Sequence, residues 1–220
     1  MLAFDIETTG LKRTEHMITV VGFFSDTPFQ GCVEHEGGFG RTVNFINGYD
    51  KPDGWERQDT WVKTDRWHSM RESVISTLDS APALCSFNGI RFDIPFIQTY
   101  LSVDARKVGE WVTKTFDVWE TCKNLLRCTF PMKAILNANG IPDKLGSGAL
   151  AVEWAKDPDM AERLEEYCLQ DARATYLLSN KDRILLPIGK HDKGSPANYI
   201  SASTYSIVRD KHGISITVHD

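Results

Sequence analysis

The sequence predicts an α/β fold in which a mixed β-sheet is covered by helices. Three β-rich stretches come first, helical and strand-like stretches then alternate, and helical patterns dominate up to about residue 180. Strands in direct succession, followed by alternating strands and helices, are typical of layered α/β domains. Each predicted element along the chain supports this fold class.

The first strand includes "FDIETTGL", at residues 4–11. The β-rich runs 17–25 and 29–35 follow, joined by a turn that contains Asp26 and Pro28. We expect these runs to form an antiparallel meander with the first strand. Residues 37–67 are rich in Gly, Asp and Trp, which predicts an irregular insertion or a short extra hairpin.

The rest of the chain alternates before it becomes helical. The predicted elements are a helix at 69–78, a strand at 83–87, a helix at 92–101, a strand at 113–119, a helix ended by Gly140, and a long helix opened by Asp157 and Pro158. The tail, at 204–218, reads as a hairpin that turns at "DKHG". We therefore expect one domain at 1–185 and a tail at 186–220.

Composition excludes several classes of protein. The 220 residues are 41% hydrophobic and 25% charged, and no stretch has the roughly 20 apolar residues of a membrane span. A formal net charge of −5 argues against a broad basic surface for duplex DNA, although a metal-binding acidic cluster would itself contribute negative charge. The five cysteines form no CxxC pair, so we expect neither a zinc site nor a disulfide framework. An intracellular setting is therefore expected.

Two carboxylates stand together in the first strand. Successive side chains of a strand point to opposite faces, so Asp5 and Glu7 share one face while Phe4 and Ile6 share the other. Like charges at this distance raise each other's pKa unless a cation or solvent separates them.

Two further acidic residues lie in apolar surroundings. Asp93 interrupts the otherwise apolar segment 92–101, and Asp171 falls on the apolar stripe of the long helix, one turn after Tyr167. Isolated ionised carboxylates are costly to bury, and no run of Lys or Arg alternates with these four. Hard divalent cations are therefore favoured over a structural ion-pair network as the compensating charge.

The three acidic stretches resemble a known set of motifs. In order, "FDIETTGL", "NGIRFDIPFI" and "YCLQDARAT" resemble the three motifs of the DEDD 3′-to-5′ exonucleases, which have a ribonuclease H-like fold, and are most similar to the proofreading domains of family B DNA polymerases. Members of one branch have a His five residues before the final Asp, and members of the other a Tyr four before it. Glu166 and Tyr167 occupy these positions, so the chain resembles the tyrosine branch. The resemblance covers residues 2–180 but not 37–67 or the tail.

The resemblance implies a two-metal site. Asp5, Glu7, Asp93 and Asp171 would hold two Mg²⁺ or Mn²⁺ ions, one of which activates water while the other stabilises the departing 3′-oxygen. Tyr167 would orient the attacking water. Its unperturbed pKa near 10 makes it a poor base at neutral pH.

Substrate contacts are implied for residues next to these motifs. Thr8 and Gly10 would contact the 3′-terminal nucleotide, Leu11 would wedge against the last bases, and Asn88 would hydrogen-bond the strand. A simple turn is the alternative for Thr8, and an Asn-Gly turn for Asn88. Asp117 follows a predicted strand, and we expect it to cap a helix that begins at residue 118.

The Trp-rich stretch allows two interpretations. Trp55, Trp61 and Trp67 alternate with Arg57 and Lys63. Aromatic residues beside cations are typical of single-strand binding. Anchoring of the insertion onto the core is the favoured interpretation, because acidic residues interrupt the basic ones.

The leading hypothesis is a metal-dependent 3′-to-5′ exonuclease. It would hydrolyse single-stranded nucleic acid, DNA in preference to RNA, to nucleoside 5′-monophosphates, alone or with a polymerase or other replication or repair proteins. Two alternatives stay open: a catalytically silent nucleic-acid-binding or scaffolding module on the same fold, and a structure-selective endonuclease.

Overall fold

The computed structural model describes residues 1–54, 57–126, 129–142 and 148–186, and the backbone of 205–210 and 213–218. Its strands are β1 (Leu2–Thr8), β2 (Ile18–Ser25), β3 (Val33–His35), β4 (Gly38–Asn44), β5 (Tyr49–Asp50), β6 (Val62–Lys63), β7 (Leu84–Ser86), β8 (Thr115–Asp117), β9 (Arg183–Leu185), β10 (Tyr205–Asp210) and β11 (Gly213–Val218). Its α-helices are α1 (Asp65–Ser80), α2 (Asp93–Leu101), α3 (Ala105–Thr113), α4 (Val118–Leu126), α5 (Met132–Ala138), α6 (Gly148–Trp154) and α7 (Ala161–Ser179).

A six-stranded mixed sheet forms the centre of the fold. The strand order is β3-β4-β2-β1-β7-β8. Pairing is antiparallel from β3 through β4 and β2 to β1, and parallel from β1 through β7 to β8. The predicted mixed sheet flanked by helices is confirmed.

Strand β1 lies inside the sheet and is covered on both faces. Phe4 and Ile6 belong to the large apolar core that α1, α2 and α3 complete on one face. On the other face Ala3 packs with Ala172 and Tyr176 of α7. The predicted division of β1 into an apolar face and a face that carries Asp5 and Glu7 is therefore confirmed, and α7 covers the acidic face.

The expected meander is wrong in one respect. Strand β4 lies in the stretch predicted to be irregular, and it pairs with β2 while β3 pairs only with β4. Its glycines hid the strand signal. A Cβ at Gly40 would lie 2.8 Å from side-chain atoms of His35 and Leu169. Glycine inside a strand often marks such a close approach.

The rest of the insertion is anchored on the core. β5 and β6 pair as a short hairpin. Trp61 and Trp67 are buried, and the Trp67 ring packs against those of Phe45 and Tyr100. The anchoring interpretation is confirmed for Trp61 and Trp67, while Trp55 lies outside the described residues.

Helix ends follow the predicted signals in several places. Gly140 has a φ of 65° just after α5, where glycine relieves strain. The Oδ1 atom of Asp157 accepts the N–H of Asp159 at 3.0 Å in the short 3₁₀ turn Pro158–Met160. The long helix α7 begins only at Ala161, three residues later than predicted, because this turn precedes it. Asp117 accepts the N–H of Glu120 at 2.9 Å and so caps α4, as predicted.

Two features of the middle of the chain differ from expectation. The run 113–119 forms only the short β8, since its last residues begin α4. Helix α3 was not predicted, because its Gly109 weakens the helical signal; it nevertheless buries Trp111.

The tail forms the predicted hairpin at the level of the backbone. β10 pairs with β11, and β10 also pairs with β9. The turn residues 211–212 lie outside the described part of the chain. Across the described residues, no helix combines the length and apolar character that crossing a bilayer requires.

Candidate active site

A cleft of about 480 Å³ opens beside the end of β1. Its lining includes the four predicted carboxylates, Tyr167, and three of the four predicted substrate contacts. These residues are Asp5, Glu7, Thr8, Leu11, Asn88, Asp93, Tyr167 and Asp171. The fourth predicted contact, Gly10, does not line the cleft.

Asp5 and Glu7 project from β1 toward α7. Glu7 is 8% exposed and Asp5 is half-buried. The strand register places Asp5 opposite Gly22 of β2. A Cβ at Gly22 would lie 2.9 Å from the carbonyl oxygen of Cys168, so this glycine lets α7 approach the acidic pair closely.

Asp93 joins them from the first residue of α2. Pairing between β1 and β7 includes Ala3 but stops before Ile6, and the backbone N–H of Ile6 instead donates to Oδ1 of Asp93 at 3.1 Å. Burial, together with the charges of Asp117 and Asp171, raises the pKa of Asp93 to about 8. Without a cation this carboxyl holds a proton at neutral pH, and a nearby divalent ion would favour its ionised form.

Tyr167 and Asp171 complete the site from α7. They lie one turn apart and are 1% and 4% exposed. Burial and the charges of Asp171, Glu7 and Asp5 raise the pKa of the Tyr167 hydroxyl well above its usual value. Tyr167 therefore stays protonated and acts as a hydrogen-bond donor. Glu166, the neighbouring residue, faces solvent.

Asp117 organises one wall of the cleft. Its carboxylate accepts hydrogen bonds from the Ser86 hydroxyl at 2.9 Å, from the N–H groups of Asn88 and Ile90 at 3.0 Å each, and from the capped N–H of α4. Asn88 has a φ of 67°, so the predicted Asn-Gly turn is present. The same turn also presents Asn88 to the cleft, which leaves its predicted contact with substrate in place.

The residues after Glu7 differ in whether they line the cleft or shape the loop that follows β1. A shift in strand register falls between Glu7 and Thr8, and such bulges redirect side chains next to active sites. The Thr8 hydroxyl donates to the carbonyl of Gly10 at 2.8 Å. A Cβ at Gly10 would lie 2.5 Å from the His16 ring, so Gly10 shapes the loop behind the cleft. Leu11 is 77% exposed and overhangs the cleft.

Sequence reasoning missed three aromatic residues of the cleft lining. Phe87, Trp119 and Phe130 line the cleft. The Lys123 ammonium lies 4.8 Å, and the Arg91 guanidinium 5.5 Å, from the centre of the Trp119 ring. Aromatic faces beside cations are suited to stacking nucleobases. The available signal was the position of Trp119 two residues after Asp117, although the strand prediction for 113–119 concealed it.

Cys168 was also missed. One ligand atom each from Asp5, Glu7 and Cys168 lies within 4.8 Å of the others. Burial and the surrounding carboxylates raise the pKa of the Cys168 thiol, and its Sγ lies 3.5 Å from the Asp5 carbonyl oxygen. A protonated thiol is a poor ligand, so the oxygen-rich remainder of the site fits a hard cation such as Mg²⁺ or Mn²⁺.

The chain is similar in structure to two proteins of known structure. The family B DNA polymerase from the hyperthermophilic archaeon Pyrobaculum calidifontis matches 79% of this chain at 15% identity with a TM-score of 0.52, and this chain covers 23% of the polymerase. Exonuclease I matches 74% of this chain at 13% identity with a TM-score of 0.39, over 42% of its own length.

The polymerase match supports the fold. A sequence comparison with curated proteins finds no match. The family model of the RNase H superfamily matches residues 2–181, nearly the whole of the predicted domain. The chain therefore belongs to the RNase H superfamily.

Proposed function

We propose that this protein is a two-metal-ion 3′-to-5′ exonuclease of the tyrosine branch. Its substrate is single-stranded nucleic acid, DNA in preference to RNA, and its products are nucleoside 5′-monophosphates. The observation that carries the proposal is that β1, α2 and α7 bring four carboxylates and a protonated Tyr167 to one cleft.

The four carboxylates have the chemistry of a divalent-metal site. Asp5, Glu7, Asp93 and Asp171 would hold two Mg²⁺ or Mn²⁺ ions, which supply an activated water and stabilise the departing 3′-oxygen. Asp93 additionally fixes the end of β1 through the Ile6 N–H, so the motif positions depend on each other.

Tyr167 positions the nucleophile. Its hydroxyl donates a hydrogen bond to the attacking oxygen and directs a lone pair toward the phosphorus. Because its pKa is raised, Tyr167 does not remove the proton of the water. Trp154 packs edge-on against the Tyr167 ring with 5.8 Å between ring centres, which limits rotation of the phenol.

The substrate contacts follow from the lining of the cleft. Thr8 and Asn88 would hold the terminal nucleotide, and Leu11 would separate the last bases. Trp119 would stack on a base. Gly10 contributes indirectly, by allowing His16 to close the loop.

The alternatives have less support. A silent binding module gains nothing from four carboxylates in a cleft where their burial is costly. A structure-selective endonuclease would use the same carboxylates, so the test must compare free and blocked ends. Association with a polymerase or with other replication or repair proteins in an intracellular setting stays a prediction.

The test is degradation of 5′-labelled DNA and RNA single strands with Mg²⁺, Mn²⁺ or EDTA, for the wild type and Asp5→Ala. We expect a metal-dependent ladder that shortens from the 3′ end, yields 5′-monophosphates and is lost in Asp5→Ala. A 3′-blocked strand should survive. Binding without any shortening would favour the silent module, and cleavage of circular single strands would favour the endonuclease.

A further inference from the structure

A second groove adjoins the cleft. Its volume is about 380 Å³ and it is lined by Leu11, Lys12, Arg13, Thr14, Arg91, Phe92 and Phe96. Leu11 and Phe92 also line the catalytic cleft, so the two cavities share a wall. A nucleic-acid strand that is longer than the cleft can continue past this wall into the groove.

The groove combines positive charge with an aromatic floor. Lys12, Arg13 and Arg91 are all exposed. The rings of Phe92 and Phe96 pack with their centres 5.5 Å apart beneath them. In a protein of net charge −5, this is a local concentration of cations next to the carboxylates. Phe96 is buried beneath the groove, whereas Phe92 is half-buried and partly accessible. Cations beside an accessible aromatic ring are suited to single-stranded nucleic acid, with phosphates on the cations and a base on Phe92.

The loop that carries Lys12 and Arg13 is held in a fixed shape. The carbonyl of Lys12 accepts the N–H of Glu15 at 2.9 Å and that of His16 at 3.0 Å, which closes a tight turn with Arg13 at its tip. The Thr9 N–H donates to the Met17 carbonyl at 3.0 Å and closes the base of the loop.

The cations differ in their partners. Lys12 pairs with Glu15 at 3.2 Å, and Arg91 pairs with Glu120 of α4. The Lys12–Glu15 pair is exposed on both sides, and such pairs are weak, so a phosphate can compete for Lys12. Glu120 is largely buried and accepts two hydrogen bonds from Arg91, so Arg91 is held more firmly. Among the described residues no ion pair involves Arg13, which leaves its guanidinium available to a phosphate.

We propose that this basic groove binds the phosphates of the nucleotides just upstream of the cleaved 3′ end. The inference rests on the proposed function, because that function places the terminal nucleotide at the carboxylates. Binding through phosphates is independent of sequence, and it makes affinity depend on the length of the strand.

Equilibrium binding measures how much this groove contributes to affinity, without any contribution from the catalytic step. The measurement uses fluorescein-labelled DNA and RNA of two and twelve nucleotides on an Asp5→Ala background, which prevents degradation. Lys12→Ala with Arg13→Ala should weaken binding of the twelve-nucleotide strands about tenfold and leave the dinucleotides within about twofold. The slope of log affinity against log salt should fall by about 1.4, since two phosphate contacts to a single strand are lost.

The matched control removes two exposed cations that line neither cavity. Arg57→Ala with Arg106→Ala should leave affinity and salt slope unchanged; these side chains are 60% and 81% exposed. Lys12→Arg with Arg13→Lys keeps the charges and should bind as the parent does, which excludes misfolding of the loop. Unchanged binding of the long strands by the alanine variant, or equal loss for both lengths, would overturn the proposal. Because hydrolysis is not measured, a missing exonuclease activity would not imitate either result.

Discussion

The carboxylate end of the cleft and the basic groove are built in opposite ways. Asp93, Tyr167 and Asp171 are buried, and they come from helices packed on the central sheet. The cations of the groove are exposed and come from the loop after β1 and from the turn before α2.

This difference fits the role that we propose for each region. Metal ions at a reacting phosphate need ligands held in place, which regular elements supply at the cost of burying like charges. A phosphate backbone that must move after every cleavage needs weak contacts that tolerate displacement. The carboxylate end should therefore control the rate of reaction, and the groove should control affinity.

The largest effect is expected from Asp171→Asn. Removing one charge from the metal site should lower kcat by about a thousandfold or more, because transition-state stabilisation by the metal pair is worth several kcal/mol. Single-turnover degradation of a labelled strand measures this, with circular dichroism as a control for folding. A loss of kcat smaller than about tenfold would contradict the assignment of Asp171 as a metal ligand.

Tyr167→Phe should have a smaller effect of the same kind. Loss of the hydroxyl should lower kcat by about 10-fold to 100-fold and leave KM unchanged, because the group orients water rather than binding the strand. The pH dependence of kcat should keep its shape, since the raised pKa of Tyr167 excludes it as the base. A changed shape would argue that Tyr167 takes part in proton transfer.

Asp93→Asn tests the cost of burying carboxylates. The pKa of Asp93 is about 8 in the folded protein, against an ordinary value of 3.8 for an aspartate. The folded state holds this proton more tightly, so the contribution of Asp93 to the stability of the metal-free protein is fully present below about pH 4 and is lost as the pH rises toward 8. The variant removes the ionisation and should be more stable than the wild type by about 5 kcal/mol at pH 8, with the difference vanishing near pH 4.

The measurement is urea unfolding in EDTA across this pH range. Asp104→Asn is the matched control, because Asp104 is exposed and caps α3 through the Arg106 N–H, a bond that Asn also makes. It should leave the pH dependence unchanged. A wild type that becomes more stable relative to Asp93→Asn between pH 4 and pH 8 would show that the sign is wrong.

The smallest effect is expected from Cys168→Ala. Although Cys168 lies beside Asp5 and Glu7, its raised pKa keeps the thiol protonated, so kcat should change by no more than about threefold. Steady-state degradation of a labelled strand checks this. A large loss of kcat that depends on a thiophilic metal such as Cd²⁺ would instead make Cys168 a metal ligand.

Much of the site was predictable because its signals are local. The spacing of Asp5 and Glu7 on a strand fixes their common face, and that of Tyr167 and Asp171 fixes theirs on a helix. Asp117 as a helix cap and Gly140 as a helix end depend on backbone geometry over a few residues. By contrast, the position of β4 depends on which strand its edge meets, and its glycines conceal the pattern.

The sequence by itself determined the acidic residues and the elements that carry them, because strand and helix periods are properties of the local chain. Only the tertiary structure decided that Asp93 binds the end of β1, that Cys168 lies beside Asp5 and Glu7, that Trp119 lines the cleft, and that Arg91 meets the loop of Arg13. These contacts link residues far apart in the chain. They depend on how helices pack against a sheet, which no local pattern encodes.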